Sequence, residues 1–246
     1  MGWKKNLFNK AGSFLCNIYR KKAGALIYLS ENMLYDTVKE TYISEYPLYD
    51  YCRYRTLELV AEEIYKNNVC GNVAEAGVAQ GHFAKIINRA FPDRQLYLYD
   101  TFEGFDENDK KRDIEKGYTS ENFFCYSTHF GSRGVEKNIE IVRSQMKYLD
   151  NCEFRQGYFP DSAVNEQEEK FAFVSIDMDL YDPIFAGLNF FYPRLSNGGY
   201  IFLHDYNHCE FKGIKVAVEN FEKTNGKLSK FPLSDQGGTL IIHKNG

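Results

Sequence analysis

One stretch constrains this chain more than any other: Phe171-Ala-Phe-Val-Ser-Ile-Asp-Met-Asp-Leu-Tyr181. Phe171 to Ile176 has the length and the β-branched, aromatic character of a strand buried on both faces. It runs into two carboxylates, Asp177 and Asp179. Side chains two apart on an extended chain point the same way, so both acids are expected to face one cleft. A second apolar run, Gly199-Tyr-Ile-Phe-Leu203, ends in His204 and Asp205. Between the runs, residues 183 to 195 have helical character, with Pro183 in the first turn and Asp182 as the cap. A strand–helix–strand unit places its strands parallel and adjacent, about 4.8 Å apart. Asp177, Asp179, His204 and Asp205 then gather at the carboxyl edge of the sheet, where open α/β sheets bind ligands. Three carboxylates and an imidazole at one edge suit a divalent cation or proton-transfer chemistry. The plainer alternative is a set of loop acids that cap helices.

From Asn72 onward the pattern alternates between strand and helix. Residues 73–76, 95–99 and 152–156 read as three further strands. Helices are expected at 54–67, 82–90, 134–149 and 212–224, and residues 228–231 and 239–243 as a terminal strand pair, with Gly237-Gly238 before its second strand. Residues 101 to about 133 are too long for an ordinary βα loop and are expected to form a lid. Its Phe123, Phe124, Tyr126 and His129 would shape an acceptor pocket, or simply pack the loop. Residues 69–246 form the α/β domain, and residues 1–68 a helical cap. Within that cap, residues 3–20 place Trp3, Leu7, Phe8, Ala11, Phe14, Leu15 and Ile18 on one face of a helix and positive charge on the other. Such a helix docks on protein or lies on an anionic membrane surface; most bury their apolar face in protein.

A chain of 246 residues holds one large domain or slightly more. The net charge of −4 gives no general affinity for nucleic acid. The six cysteines form no C-x-x-C pair, which suits reduced thiols in the cytoplasm and excludes a zinc site of that type. No apolar run approaches the ~20 residues of a membrane span, and the first residues carry no clear signal-peptide core.

Glu75-x-Gly77-x-x-x-Gly81 lies between a strand and a helix. Glycines let the backbone approach a ligand closely, and the helix start supplies free N–H groups. The spacing differs from the G-x-G-x-x-G of dinucleotide binders, and no Walker lysine is present. Glu75 would repel a pyrophosphate and attract a cation. Asp100 ends the next strand about 20 residues on, where an acid holds ribose hydroxyls. A ligand with a ribose, a positive charge and no phosphate is S-adenosylmethionine. A tight turn without a ligand is the alternative.

Six segments together resemble the macrocin O-methyltransferase family. They are Glu75-Ala-Gly-Val-Ala-Gln-Gly81, Asp100-Thr-Phe-Glu-Gly-Phe105, Gly157-Tyr-Phe159, Ile176-Asp-Met-Asp-Leu-Tyr181, Tyr192-Pro-Arg-Leu-Ser-Asn-Gly-Gly199 and His204-Asp-Tyr206. The resemblance spans residues from about 40 to 245. It implies a Rossmann-like class I methyltransferase: a seven-stranded, mostly parallel sheet whose last strand is antiparallel. It also implies a homo-oligomer built partly from the N-terminal helices, and methyl transfer to a sugar hydroxyl of a glycoside or nucleotide sugar. By motif match, Phe102 and Tyr158 join Glu75, Gly77, Gly81, Asp100 and Asp177 around S-adenosylmethionine. Asp177 and Asp205 become ligands of Mg²⁺ or a similar ion, and Asp179 the general base. The family carries two acids where this chain has His204-Asp205. His204 is then a ligand for a softer ion such as Mn²⁺, a second base, or neither. A metal-dependent hydrolase and a non-catalytic S-adenosylmethionine-binding module are the competing functions.

Overall fold

The computed structural model describes residues 50–126, 133–163 and 168–245. The amphipathic segment at residues 3–20 and the tyrosine-rich stretch up to residue 49 lie outside them. Arg53 to Gly246 form one compact unit. In chain order the elements are α1 (Tyr51–Lys66), β1 (Asn72–Ala76), α2 (Ala84–Ala90), β2 (Leu96–Asp100), α3 (Glu107–Glu115), α4 (Glu121–Tyr126), α5 (Val135–Arg143), β3 (Cys152–Gln156), β4 (Phe171–Ile176), α6 (Tyr181–Arg194), β5 (Leu195–Leu203), α7 (Lys212–Asn225), β6 (Ser229–Pro232) and β7 (Leu240–His243).

The strands form one seven-stranded sheet in the order β3-β2-β1-β4-β5-β7-β6. β7 runs antiparallel to both of its neighbours, and the pairs from β3 through β5 are parallel. This is the sheet that the resemblance implies. β4 sits at its centre with every residue buried, because helices cover both faces and no position has to be polar. Phe171, Phe173, Phe191, Phe202 and Phe221 are fully buried around it. Each such ring contributes roughly 1.5–3 kcal/mol by leaving water. Among the described residues no helix is long and apolar enough to cross a membrane.

Two features of the pairing place the site. Ile176 lies opposite Leu203 in the β4–β5 register, and the His204 N–H donates to the Ile176 carbonyl at 2.9 Å. The segments after β4 and β5 therefore leave the sheet side by side. On the other flank, the Asp177 N–H donates to the Ala76 carbonyl at 2.7 Å, which brings the turn after β1 alongside.

Three expectations change in detail. Asp182 does not cap the helix after β4. That helix already begins at Tyr181, its flanking residue is Leu180, and it has no side-chain cap of its own. The helix expected over residues 134–149 stops at Arg143. The chain then turns so that the Asn88 side chain can pair with the main chain of Tyr148, accepting from its N–H at 2.8 Å and donating to its carbonyl at 3.0 Å. The long excursion after β2, expected to form a lid, carries α3 and α4. α3 is capped by Asp106, which accepts from the amides of Asn108 and Asp109.

The outer strands are tied to α7 by Glu222. Its carboxylate accepts from Lys230, from the Leu228 amide at 3.0 Å and from Lys227 at 3.1 Å. Burial alone would raise this carboxyl, but Lys230, the Leu228 amide and Lys227 hold it down at about 2. A carboxyl below its unfolded value of ~4.3 adds stability above that pH and loses it as the pH falls toward ~2. Glu222→Gln should therefore cost about 1–3 kcal/mol at neutral pH. Urea denaturation should show the difference from the native chain shrinking as the pH drops through that window.

Candidate active site

The ends of β4 and β5 bring four groups together. Asp177 is bonded on both oxygens: Oδ1 lies 2.9 Å from His204 Nδ1, and Oδ2 accepts from Arg53 Nη2 at 3.1 Å. Asp205 Oδ2 is 3.3 Å from the same His204 nitrogen. Asp205 and Asp177 both act on the neighbouring Asp179 carboxyl. All four expected residues thus meet, but by a route other than strand alternation. The strand ends at Ile176, and both Asp179 (φ +62) and Asp205 (φ +53) take left-handed backbone conformations. Aspartate tolerates that region better than most residues, and such strain, about 1–3 kcal/mol each, collects at functional sites.

The charges in the cluster are set by these contacts. Burial alone would raise the Asp177 carboxyl, but His204 and Arg53 outweigh it and hold it well below the usual carboxylate range. Burial and Arg53 work against a charged His204, yet Asp177 and Asp205 push its pKa up to about 10. Asp179 goes the other way: burial first, then Asp205 and Asp177, raise it well above an ordinary aspartate.

Arg53 belongs to no motif in the sequence, and it is a central residue of the site. It is 3% exposed. Nη2 also donates to Ser175 Oγ at 3.2 Å, and the guanidinium sits 3.9 Å from the centroid of the Phe83 ring. Phe83 is stacked in turn on Tyr54 at 5.3 Å. A signal was present in the sequence. Arg53 lies one helical turn before Leu57 on the stripe that continues through Val60, Ala61 and Ile64, and a cation on a buried stripe needs a buried anion.

The turn after β1 lies on the other side of Asp177. At Gly77, with φ +88, an added Cβ would stand 1.9 Å from the Asp177 carbonyl oxygen. Only glycine lets the two strand ends approach so closely. Gly81 packs beneath Val142 of α5. Glu75 is 1% exposed, and its Oε2 has no hydrogen-bond partner. Burial raises its carboxyl well above normal, with Arg53 partly offsetting. Asp100 clasps the turn: Oδ2 accepts from the amides of Val78 and Ala79 at 2.8 and 2.9 Å, and Oδ1 from that of Phe102 at 2.6 Å. Burial still leaves its carboxyl raised. The Phe102 ring is fully buried, 6.3 Å from Phe154, so Phe102 meets the turn through its main chain. Tyr158 turns to the excursion, and its hydroxyl donates to Asp109 Oδ2 at 3.0 Å.

The model of the macrocin O-methyltransferase (TylF) family matches residues 41–239. The chain belongs to this family. Its relatives include a demethyldecarbamoylnovobiocin O-methyltransferase from Streptomyces niveus. That protein is 26% identical over 204 residues, covering 79% of this chain and 71% of the relative. A mycinamicin III 3''-O-methyltransferase from Micromonospora griseorubida is 27% identical, covering 76% of this chain and 74% of its own. Among solved structures, the O-methyltransferase NovP superposes with a TM-score of 0.62 at 22% identity, over 79% of this chain and 80% of NovP. The calicheamicin methyltransferase CalS11 gives 0.59 at 14% identity, over 91% of this chain and 92% of its own. The chain is an O-methyltransferase of the class I fold, and the hydrolase alternative falls away.

In this macrocin O-methyltransferase family member two further elements lie near the acids. The loop between β6 and β7 crosses the acid cluster at Gly237. An added Cβ there would lie 2.4 Å from Asp205 Oδ1 and 2.6 Å from His204 Nε2. Gly237-Gly238 was legible only as a turn before the last strand. The second element is the excursion, where Phe123 meets Phe211 edge-on at 4.8 Å and Phe124 meets Phe105 at 5.4 Å. The Tyr126 side chain and His129 lie outside the described residues.

The donor set also fits a divalent cation. One donor atom each from Asp177, His204 and Asp205 lies within 4.8 Å of the others. Adjacent ligands of an octahedral ion with bonds of ~2.1 Å stand about 3 Å apart, close to the spacings on either side of His204 Nδ1. Gly237→Ala should crowd this pair. Turnover should fall about ten-fold or more, the scale of ~1.4 kcal/mol lost from the transition state, while calorimetric affinity for S-adenosylmethionine stays the same.

Proposed function

We propose that the chain transfers a methyl group from S-adenosylmethionine to a sugar hydroxyl of a glycoside or nucleotide sugar. A divalent cation held by Asp177, His204 and Asp205 assists, and Asp179 takes the proton. The observation that carries this proposal is the convergence of Asp177, Asp179, His204 and Asp205 beside a glycine turn whose strand buries the orphaned Oε2 of Glu75. An unpaired carboxylate oxygen suits the positive donor. Proteins whose names specify a sugar on the acceptor support the acceptor class: the 8-demethyl-8-(2,3-dimethoxy-alpha-L-rhamnosyl)-tetracenomycin-C 4'-O-methyltransferase of Streptomyces olivaceus and CalS11, described as a TDP-rhamnose 3'-O-methyltransferase.

The donor offers an electrophilic methyl on a sulfonium. When bound, the cation supplies Lewis acidity toward the acceptor hydroxyl, which is a poor nucleophile at neutral pH. His204 supplies a nitrogen that Mn²⁺ accepts more readily than Mg²⁺, while Asp177 and Asp205 supply oxygens that suit both. Arg53 keeps Asp177 ionised and fixes its direction. Asp179, which burial, Asp205 and Asp177 hold toward its protonated form in the ligand-free chain, would be ionised by the charge of a bound cation and then accept the hydroxyl proton as the O–CH₃ bond forms and the S–CH₃ bond breaks. Phe123 and Phe124 of α4 would exclude water from the acceptor side. Lining up the hydroxyl with the S–CH₃ bond is the remaining contribution.

The test is a methyl-transfer screen over nucleotide sugars and glycosides, read by mass spectrometry with and without chelator. The expected result is a methylated sugar whose formation stops in chelator. Transfer that is unaffected by chelator would remove the cation from the scheme. In the same assay Asp179→Asn should lower turnover by about 10²–10⁴-fold, the range for losing a general base. Its calorimetric donor affinity should match the native chain, and unchanged turnover would sink Asp179 as the base.

A further inference from the structure

α6 starts two residues after Asp179, and its first turn has no side-chain cap from its own segment. The free amides at a helix start need partners. The partner here comes from 68 residues away: Asp113, on α3 of the excursion, accepts from the Tyr181 N–H through Oδ2 at 3.0 Å. Asp113 is 3% exposed. The same spot receives the start of α7, the helix that follows His204 and Asp205. A Cβ on Gly213 would stand 3.1 Å from Asp113 Oδ2, from the Tyr118 ring and from Tyr181 Cβ alike. The Tyr118 N–H donates to the Asp113 carbonyl at 2.8 Å, and the Tyr118 carbonyl accepts from the Lys212 N–H at 3.0 Å. On the far side, Tyr181 Oη accepts from Asn220 of α7 at 2.9 Å. Asp113 therefore stands where the excursion, the loop carrying Asp177 and Asp179, and the loop carrying His204 and Asp205 all meet.

We infer that Asp113 is a positioning residue for methyl transfer, capping α6 from the excursion and so fixing the two loops that hold the acid cluster. Nothing in this role touches donor or acceptor. Docking of the excursion and alignment of the acids become one event, because the helix behind Asp179 is complete only when α3 is in place. What the junction needs from residue 113 is an acceptor oxygen in reach of the Tyr181 amide. Asparagine provides one and alanine does not. The link to turnover rests on the function proposed above, whereas the link to the loops does not.

The experiment compares Asp113→Ala and Asp113→Asn with the native chain in two measurements. Amide hydrogen exchange on the ligand-free protein reads the loops directly. Asp113→Ala should speed exchange at Tyr181 and in the segment 204–213, and leave β1 and β2 unchanged. Asp113→Asn should keep native exchange. Steady-state kinetics should show kcat reduced about 10–100-fold in Asp113→Ala, the scale of a small misplacement of reacting groups, with donor affinity unchanged and near-native kcat in Asp113→Asn. Native exchange at Tyr181 in Asp113→Ala would overturn the inference. So would equal impairment of both variants, since the amide keeps the acceptor oxygen. Loss of fold in Asp113→Ala leaves Asp113→Asn to decide: native exchange and kcat support the inference, and a loss of either overturns it. If the native chain transfers no methyl group, the functional proposal fails while the exchange comparison still decides the role of Asp113.

Discussion

Asp177 can stay ionised at the floor of a cleft only because two cationic groups hold it, Arg53 on one oxygen and His204 on the other. A carboxylate leaving water loses far more than a hydrogen bond returns unless a charge compensates. Removing one partner of a buried pair costs about 3–5 kcal/mol. Asp177 is partly open to solvent, so its pairs belong toward the lower end of that range. The rest of the site hangs on this arrangement. Arg53 ties α1 and the Phe83 ring to the end of β4, and His204 ties the end of β5 to the end of β4. Gly77 then gives the room that lets the turn after β1 close against the main chain of Asp177, and Gly237 the room that lets the β6–β7 loop close against His204 and Asp205.

Much of the sheet was legible in local pattern. Fully apolar runs such as Phe171 to Ile176 mark strands covered on both faces, and the acids that end them mark the carboxyl edge. The same logic fails where a partner is distant in sequence. Asp182 is a sound local choice for a helix cap, but the position is filled by Asp113, and no spacing rule links residues 113 and 181. The two-residue alternation predicted that Asp177 and Asp179 share a face. They do share a cleft, through a left-handed backbone at Asp179 rather than through an extended strand. Arg53 and Gly237 were readable only as oddities, a cation on an apolar stripe and a glycine pair before a strand. The helix ending at Arg143 was overrun because the Asn88–Tyr148 pairing that stops it is a tertiary contact.

His204 stands where the resemblance implies an acid beside Asp205. An imidazole between Asp177 and Asp205 makes the cluster one charge less negative than a third carboxylate would, and more so when the ring is protonated. The ring also fills space up to the main chain at Gly237. In the proposed scheme a cation would displace a proton from His204 as well as draw on Asp177 and Asp205, so binding would release protons and strengthen with rising pH. The proposed site would then favour ions that accept nitrogen over those that demand oxygen alone.

The most direct measurement is calorimetric titration of Mn²⁺ into the native chain and into Asp177→Asn, Asp205→Asn and Asp179→Asn. If the ends of β4 and β5 form one cation site with a separate proton acceptor, the native chain and Asp179→Asn bind one ion with similar affinity, and the other two variants lose it. Equal binding by all four proteins would contradict the assignment of Asp177 and Asp205.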